Sequence, residues 1–154
     1  MSEGSVHSIH IARQAAGPTE PLNEVRAVPG KGLEGDRYFK GEGSWSKTPG
    51  TGRQVTLIEL ETIEALERDY QTRIEPGQAR RNIVTRSVAL NHLVGREFSV
   101  GEVRLRGLRL NEPCNHLASL TSDELKKGLV HRGGLRAQIL DGGVIRVGDA
   151  VRAE

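Results

Sequence analysis

The chain has one cysteine, Cys114, among 154 residues, so no disulfide can close within it. A lone thiol is left with three jobs: filling a core, ligating a metal, or acting as a nucleophile and sulfur carrier. Aromatic side chains are nearly as scarce, with two Phe, two Tyr and one Trp, which removes the stacking platforms that single-stranded nucleic acids require. The formal net charge of +2 can draw in small anions but lacks the dense basic tract of a nucleic-acid binder. No stretch approaches the ~20 consecutive apolar residues of a membrane span, and no basic segment followed by an apolar run opens the chain. A cytoplasmic protein with no membrane and no nucleic-acid partner is the expectation, and a reducing compartment suits the unpaired thiol. There is no Gly-x-Ser-x-Gly elbow, no P-loop and no dinucleotide fingerprint, so hydrolase, NTPase and dehydrogenase readings have no motif to stand on. The histidines His7, His10, His92, His116 and His131 include no pair with helical zinc spacing, and no second cysteine completes a thiolate set. No structural zinc is expected.

What the chain does have is glycine, 19 residues of it, mostly between short alternating apolar runs. That pattern predicts many tight turns and a mainly β fold. Strands are expected over Ser5–Arg13 and Glu24–Val28, with Ala16-Gly17-Pro18 and Pro21 marking a loop between them. From Pro29 to Gly52 periodicity disappears, and a loop that long inside a compact domain is usually functional. Thr56-Leu57-Ile58-Glu59 has the form of a capping box, opening a helix that runs to about Tyr70 with Ile63, Leu66 and Tyr70 on one face. A polar strand follows over Ala79–Arg86, then one helical turn over Leu90–Val94. Glu97–Val100 and Val103–Leu110 form a hairpin about Gly101, with a phase shift at Gly107 that reads as a bulge. Thr121-Ser122-Asp123-Glu124 is a second capping-box candidate, for a helix ended by Gly128. Leu135–Leu140, the turn Asp141-Gly142-Gly143 and Val144–Val151 make the clearest hairpin. The whole, residues 1–154, reads as a single domain: a closed or nearly closed antiparallel β-barrel with a few peripheral helices, an α+β fold that is mainly β.

Four segments could carry chemistry. Cys114 sits in the polar run Asn111-Glu112-Pro113-Cys114-Asn115-His116 at the end of a strand, where His116 or arginines brought in by the fold would raise its thiolate fraction. His131-Arg132-Gly133-Gly134-Leu135-Arg136 is a cationic loop with uncovered amides, suited to a phosphate or oxyanion. Arg80-Arg81-Asn82 enters a strand with two cations and an amide, and Asp36-Arg37 lies in the glycine-rich loop. Each of the last three also fits an ordinary solvated surface when taken alone.

Taken together the segments resemble a known family. Gly32-Leu33-Glu34-Gly35-Asp36-Arg37, Gly52-Arg53-Gln54-Val55-Thr56-Leu57-Ile58-Glu59, Arg80-Arg81-Asn82-Ile83-Val84-Thr85-Arg86, Leu93-Val94-Gly95-Arg96, Glu112-Pro113-Cys114 and Gly133-Gly134-Leu135-Arg136 occur in the order seen in MOSC domains, named after the molybdenum cofactor sulfurase C-terminal domain. The match is clearest over residues 30–151 and looks like a free-standing bacterial-type member. The resemblance implies a β-barrel and a pocket for molybdopterin, the molybdenum cofactor, with Cys114 as the metal ligand or sulfur carrier and the catalytic residue. It implies that Arg80, Arg81, Asn82, Arg132, Gly133, Gly134, Arg136, Asp36, Arg37 and His116 hold the cofactor. The implied activity is reduction of N-hydroxylated small molecules with electrons from an external donor protein. The alternative is a sulfur-carrier or cofactor-delivery module that holds a persulfide on Cys114, loaded by a sulfur-donor protein, without small-molecule turnover. Many relatives carry a second cysteine where this chain has Asn111, so an internal disulfide cycle is closed to it.

Overall fold

Alternation of apolar and polar residues builds most of the molecule. In the computed structural model, which describes residues 3–14, 17–37, 39, 54–111 and 128–154, the strands are β1 (Gly4–Ala12), β2 (Thr19–Leu22), β3 (Glu24–Val28), β4 (Gly32–Leu33), β5 (Val55–Glu59), β6 (Ile83–Arg86), β7 (Glu97–Val100), β8 (Val103–Leu110), β9 (Leu135–Asp141), β10 (Gly143–Arg146) and β11 (Ala150–Ala153). One α-helix, α1, spans Leu60–Tyr70, and 3-10 turns cover Pro76–Ala79 and Leu90–Leu93. Cys114, His116, the Thr121–Glu124 box and most of the loop before Gln54 lie outside the described residues.

Seven strands close in the order β11-β7-β8-β9-β5-β6-β1, and the return pairing of β1 with β11 shuts the barrel. β2 continues the sheet beyond β1, and β10-β3-β4 form a second, three-stranded sheet. Inward residues of the barrel strands make one core, with Ile9, Leu57, Ile83, Phe98, Leu105 and Leu135 fully buried. On the outer face a smaller core lies beneath α1, where Ile58 and Val84 meet Ile63, Leu66 and Leu129. β5 therefore buries both faces, which explains its nearly continuous apolar run.

The barrel is mixed and not wholly antiparallel. β5 and β6 run parallel, Leu57 opposite Ile83 and Ile58 opposite Val84, because α1 carries the chain back across the sheet between them. The expected capping box is instead part of β5. Thr56 turns its hydroxyl to Asn82, and the Glu59 carboxylate accepts from the Leu90 amide at 3.2 Å, so α1 begins only at Leu60 without a side-chain cap. Ile63 and Leu66 are buried as expected, whereas Tyr70 is exposed. Pro21 falls inside β2, opposite His10, on a strand paired only with β1 among the described residues; an edge tolerates a residue without an N–H.

The hairpin over residues 97–110 forms, and its bulge lies between Gly107 and Arg109 in the β8–β9 ladder. The hairpin over Leu135–Val151 does not form. β9 pairs with β5 and β8, β10 pairs with β3, and a turn at Val147-Gly148 separates β10 from β11. Asp141-Gly142-Gly143 changes sheets: a Cβ on Gly142 would stand 2.7 Å from the Ala27 carbonyl oxygen and 2.9 Å from Pro29, so only glycine lets the chain step across.

Candidate functional site

On the outer wall of the barrel, the segment that leads into β6 flanks one edge of β5, and the start of β9, with the end of β8 beyond it, flanks the other. Register then sets the outward residues side by side: Arg109 faces Arg136, Arg136 faces Thr56, and Asn82, just before β6, bonds to Thr56. Six of the sequence-predicted residues, Arg80, Arg81, Asn82, Gly133, Gly134 and Arg136, gather here with Asn111.

Asn82 is a rivet. Its Oδ1 accepts from the Thr56 amide at 3.1 Å and from the Thr56 hydroxyl at 3.2 Å, while its Nδ2 donates to the His10 carbonyl at 3.1 Å. One side chain thereby ties β1, β5 and β6 together, and each partner is a backbone or hydroxyl group that would otherwise stand unsatisfied. In the sequence Thr56 stood out only as the hydroxyl of a capping box and His10 only as a histidine without zinc spacing; neither was read as part of this site. His10 is itself buried, its Nε2 within 2.8 Å of the Ser8 hydroxyl, and burial followed by the charge of His7 lowers its pKa below the usual 6.5.

Arg81 is a clamp. Its buried guanidinium donates to the Gly133 carbonyl at 2.8 Å and to the Asn111 carbonyl at 3.1 Å. Asn111 also donates its amide to the Gly134 carbonyl at 2.8 Å, and its Oδ1 accepts from Arg136 Nε at 2.9 Å. Asn111, three residues before Cys114 in the chain, is therefore held through its amide, its carbonyl and its side chain. Its part in the site was missed in the sequence, where it registered only as the position of an absent cysteine. Glycine is required at 133 and 134 for close approach: a Cβ on Gly133 would strike the Asn111 carbonyl, and one on Gly134, whose φ is +100°, would strike the Leu57 carbonyl.

Arg80 adopts a left-handed conformation, φ +60°, and its guanidinium donates to the Gly17 carbonyl at 2.7 Å. His131, at φ +59°, is bent the same way at the entrance to the opposite loop. Two non-glycine residues held in that sparsely populated region flank the site, where surrounding contacts must over-determine them. Asp36, almost fully buried, accepts from the Ala12 amide at 3.0 Å and lies 3.4 Å from Arg37, whose own amide donates to the Ala12 carbonyl at 2.7 Å. This pair thus fastens the glycine-rich loop to the carboxyl end of β1. Arg132 stands apart, exposed beside Glu59 and Asn91 over the start of α1. Cys114 and His116 fall outside the described residues.

Comparison with known proteins agrees on the fold. No curated protein matches the sequence. Among solved structures, the YuaD protein from Bacillus subtilis superposes with a TM-score of 0.80 at 16% identity, over 99% of this chain and 98% of that one. YiiM from Geobacillus stearothermophilus gives 0.75 at 15% identity, covering 98% of this chain and 75% of that one. YiiM from Escherichia coli gives 0.67 at 16% identity, over 100% and 70%. The family profile of the MOSC domain matches residues 42–152, most of the chain, from within the glycine-rich loop into the last strand. With that match laid over a closed seven-stranded barrel, this chain belongs to the MOSC domain family.

Proposed function

We propose that the stretch of barrel wall around Asn111 binds the molybdenum cofactor, and that the chain reduces N-hydroxylated small molecules there, with Cys114 as the metal ligand. One observation carries the reading: Arg81 and Arg136 converge on Asn111, so the peptide that leads into the lone cysteine is anchored amid guanidinium groups. The described residues fit the group. Arg80, Arg81, Arg109 and Arg136 lie around Asn111, and guanidinium forks match phosphate oxygens in geometry as well as charge. Membership of the MOSC family, which is associated with molybdenum cofactor binding, points the same way.

When bound, the cofactor supplies the two-electron redox centre. The chain's own residues do the rest. Arg80 and Arg136 offset the phosphate charge, Arg81 keeps the segments on either side in register, and the Cys114 thiolate supplies a soft donor. Reduction of an N-hydroxyl group to an amine takes two electrons and two protons and releases water. The electrons come from an external donor protein. The test is elemental and pterin analysis of protein purified from a molybdenum-sufficient host, alongside Cys114→Ser. Stoichiometric molybdenum, lost together with reductase turnover in the variant, is the expected result. A folded wild-type sample that carries neither metal nor pterin, and gains a sulfur on Cys114 when incubated with a cysteine desulfurase, would overturn it in favour of the sulfur-carrier reading.

A further inference from the structure

Next to the Asn111 cluster, which it touches through Gly134, a cavity of about 140 Å³ opens over the first turn of α1. Its walls are Glu59, Glu61, Thr62, Asn91, Arg132 and Gly134. Glu59, Thr62 and Gly134 form the less exposed floor, and Glu61, Asn91 and Arg132 form an exposed rim.

The hydrogen bonds leave this lining half used. Glu59 Oε2 accepts from the Leu90 amide at 3.2 Å and Glu61 Oε2 from the Ser87 amide at 2.9 Å, while the Oε1 atom of each has no hydrogen-bond partner among the described residues. Asn91 commits its Nδ2 to the His131 carbonyl at 3.1 Å, which leaves its Oδ1 as an acceptor. Thr62 is only 6% exposed, lines the cavity, and its hydroxyl makes no hydrogen bond among the described residues. That hydroxyl is not sealed off, so it opens on the cavity, where water or a donor on a ligand completes it. Four such acceptors belong to residues that line this one cavity, two of them on carboxylates, and Arg132 is the one cation among its described lining residues.

We propose that this cavity binds a compact organic cation rich in N–H donors, a guanidinium or primary ammonium group. Its size suits such a ligand, since a cavity near this volume holds on the order of six heavy atoms. A bare metal ion is a poorer match, because two carboxylates fall short of the oxygen-rich shell hard cations take, and no group of three or more His, Cys, Asp or Glu side chains gathers among the described residues. The electrostatics agree. Burial raises the Glu59 pKa above its usual 4.5, the Leu90 amide opposes the shift, Glu61 adds to it, and Arg132 and His92 act against it. A cation seated against Glu59 favours the ionised carboxylate, so binding strengthens as pH rises through the raised pKa.

The site needs no cofactor and rests on no part of the reading given for Cys114, so either can fail without the other. The experiment titrates the full chain with methylguanidinium chloride and follows the amide resonances of Ser87, Leu90 and Gly134. Tetramethylammonium chloride at equal ionic strength is the control, because it has the same charge and no N–H donor. Saturable shifts with methylguanidinium alone are expected, with a Kd on the order of 1 mM. Glu59→Gln should weaken the binding about tenfold, as loss of a charge-assisted hydrogen bond does, and Glu64→Gln, on the exposed side of α1, should leave it unchanged. Should Glu59→Gln fail to fold, Glu61→Gln at the rim carries the same expectation. Equal responses to both cations, no saturable response, or unchanged affinity in the folded carboxylate variants would overturn the proposal.

Discussion

Gly30 and Gly134 both have positive φ, +79° and +100°, yet their surroundings differ completely. A methyl group on Gly30 meets nothing within 4 Å, whereas on Gly134 it runs into the Leu57 carbonyl and crowds Ile58. Gly30→Ala should therefore cost only the left-handed penalty of about 1–2 kcal/mol. Gly134→Ala adds a backbone collision between the β9 entrance and β5, and a loss of more than about 3 kcal/mol is expected from urea unfolding of the two variants side by side. His10 provides a second test on a single side chain. Its folded pKa lies below the usual 6.5, so as pH falls the unfolded chain takes up the proton first. The stabilising contribution of neutral His10 is complete above pH 6.5 and is lost as pH drops from there through the lowered folded value. Glu59 works the opposite way: its raised pKa means that stability falls as pH climbs from 4.5 through the folded value. His10→Asn should flatten the fall in stability just below pH 6.5 and leave the Glu59 contribution at lower pH in place, as read from melting temperatures across that range.

Strands and the helix were legible wherever burial is decided locally. The alternation of β1, β3, β7 and β8 and the three-and-four spacing of Ile63 and Leu66 each report one buried face, and the structure buries those faces. Pairing was less legible, because a sequence shows that a strand needs a neighbour without naming it. Asp141-Gly142-Gly143 has hairpin chemistry, yet β3 competes for β10 and wins, and no local residue announces that. The capping box failed for a related reason. Thr56 and Glu59 satisfy orphan amides just as capping residues do, but the amides belong to Asn82 and Leu90, which are distant in sequence. The candidate site divides along the same line. Arg80-Arg81-Asn82 and Gly133-Gly134 stood out as polar or uncovered segments, and the fold brings them together. That Arg81 and Asn82 spend hydrogen bonds on backbone partners in other strands was invisible, since those partners are carbonyls and amides that every residue possesses.

Closure is the property of the whole molecule on which the site depends, since β6, β8 and β9, which hold Arg81, Asn111 and Arg136 in place, keep their relative positions only if the barrel is shut. The seam is short: Gly4 and Ser5 of β1 lie opposite Val151 and Ala150 of β11, with the Val6 amide donating to the Asp149 carbonyl and the Gly148 amide to the Val6 carbonyl, both at 2.9 Å. Gly4 has no side chain for the reason Gly142 has none: a Cβ there would come within 2.6 Å of Val88 and 2.7 Å of the Arg86 carbonyl oxygen. Val151 fills the core on the inner side of this seam and is fully buried, whereas Val147, four residues earlier in the turn, is 45% exposed. The same substitution at the two positions separates closure from surface chemistry. Val147→Asp places a carboxylate in water and should change stability by less than about 0.5 kcal/mol. Val151→Asp forces a charge or a protonated acid among Phe98, Val100 and Val103 with no partner, at a cost of several kcal/mol. That approaches the whole of the roughly 5–15 kcal/mol that holds a domain of this size together. Calorimetry should show a near-wild-type transition for Val147→Asp and a lost or sharply lowered one for Val151→Asp. A Val151→Asp protein that melts cooperatively at the wild-type temperature would mean that the β1–β11 seam is dispensable, and that the strands around Asn111 are held by their own ladder alone.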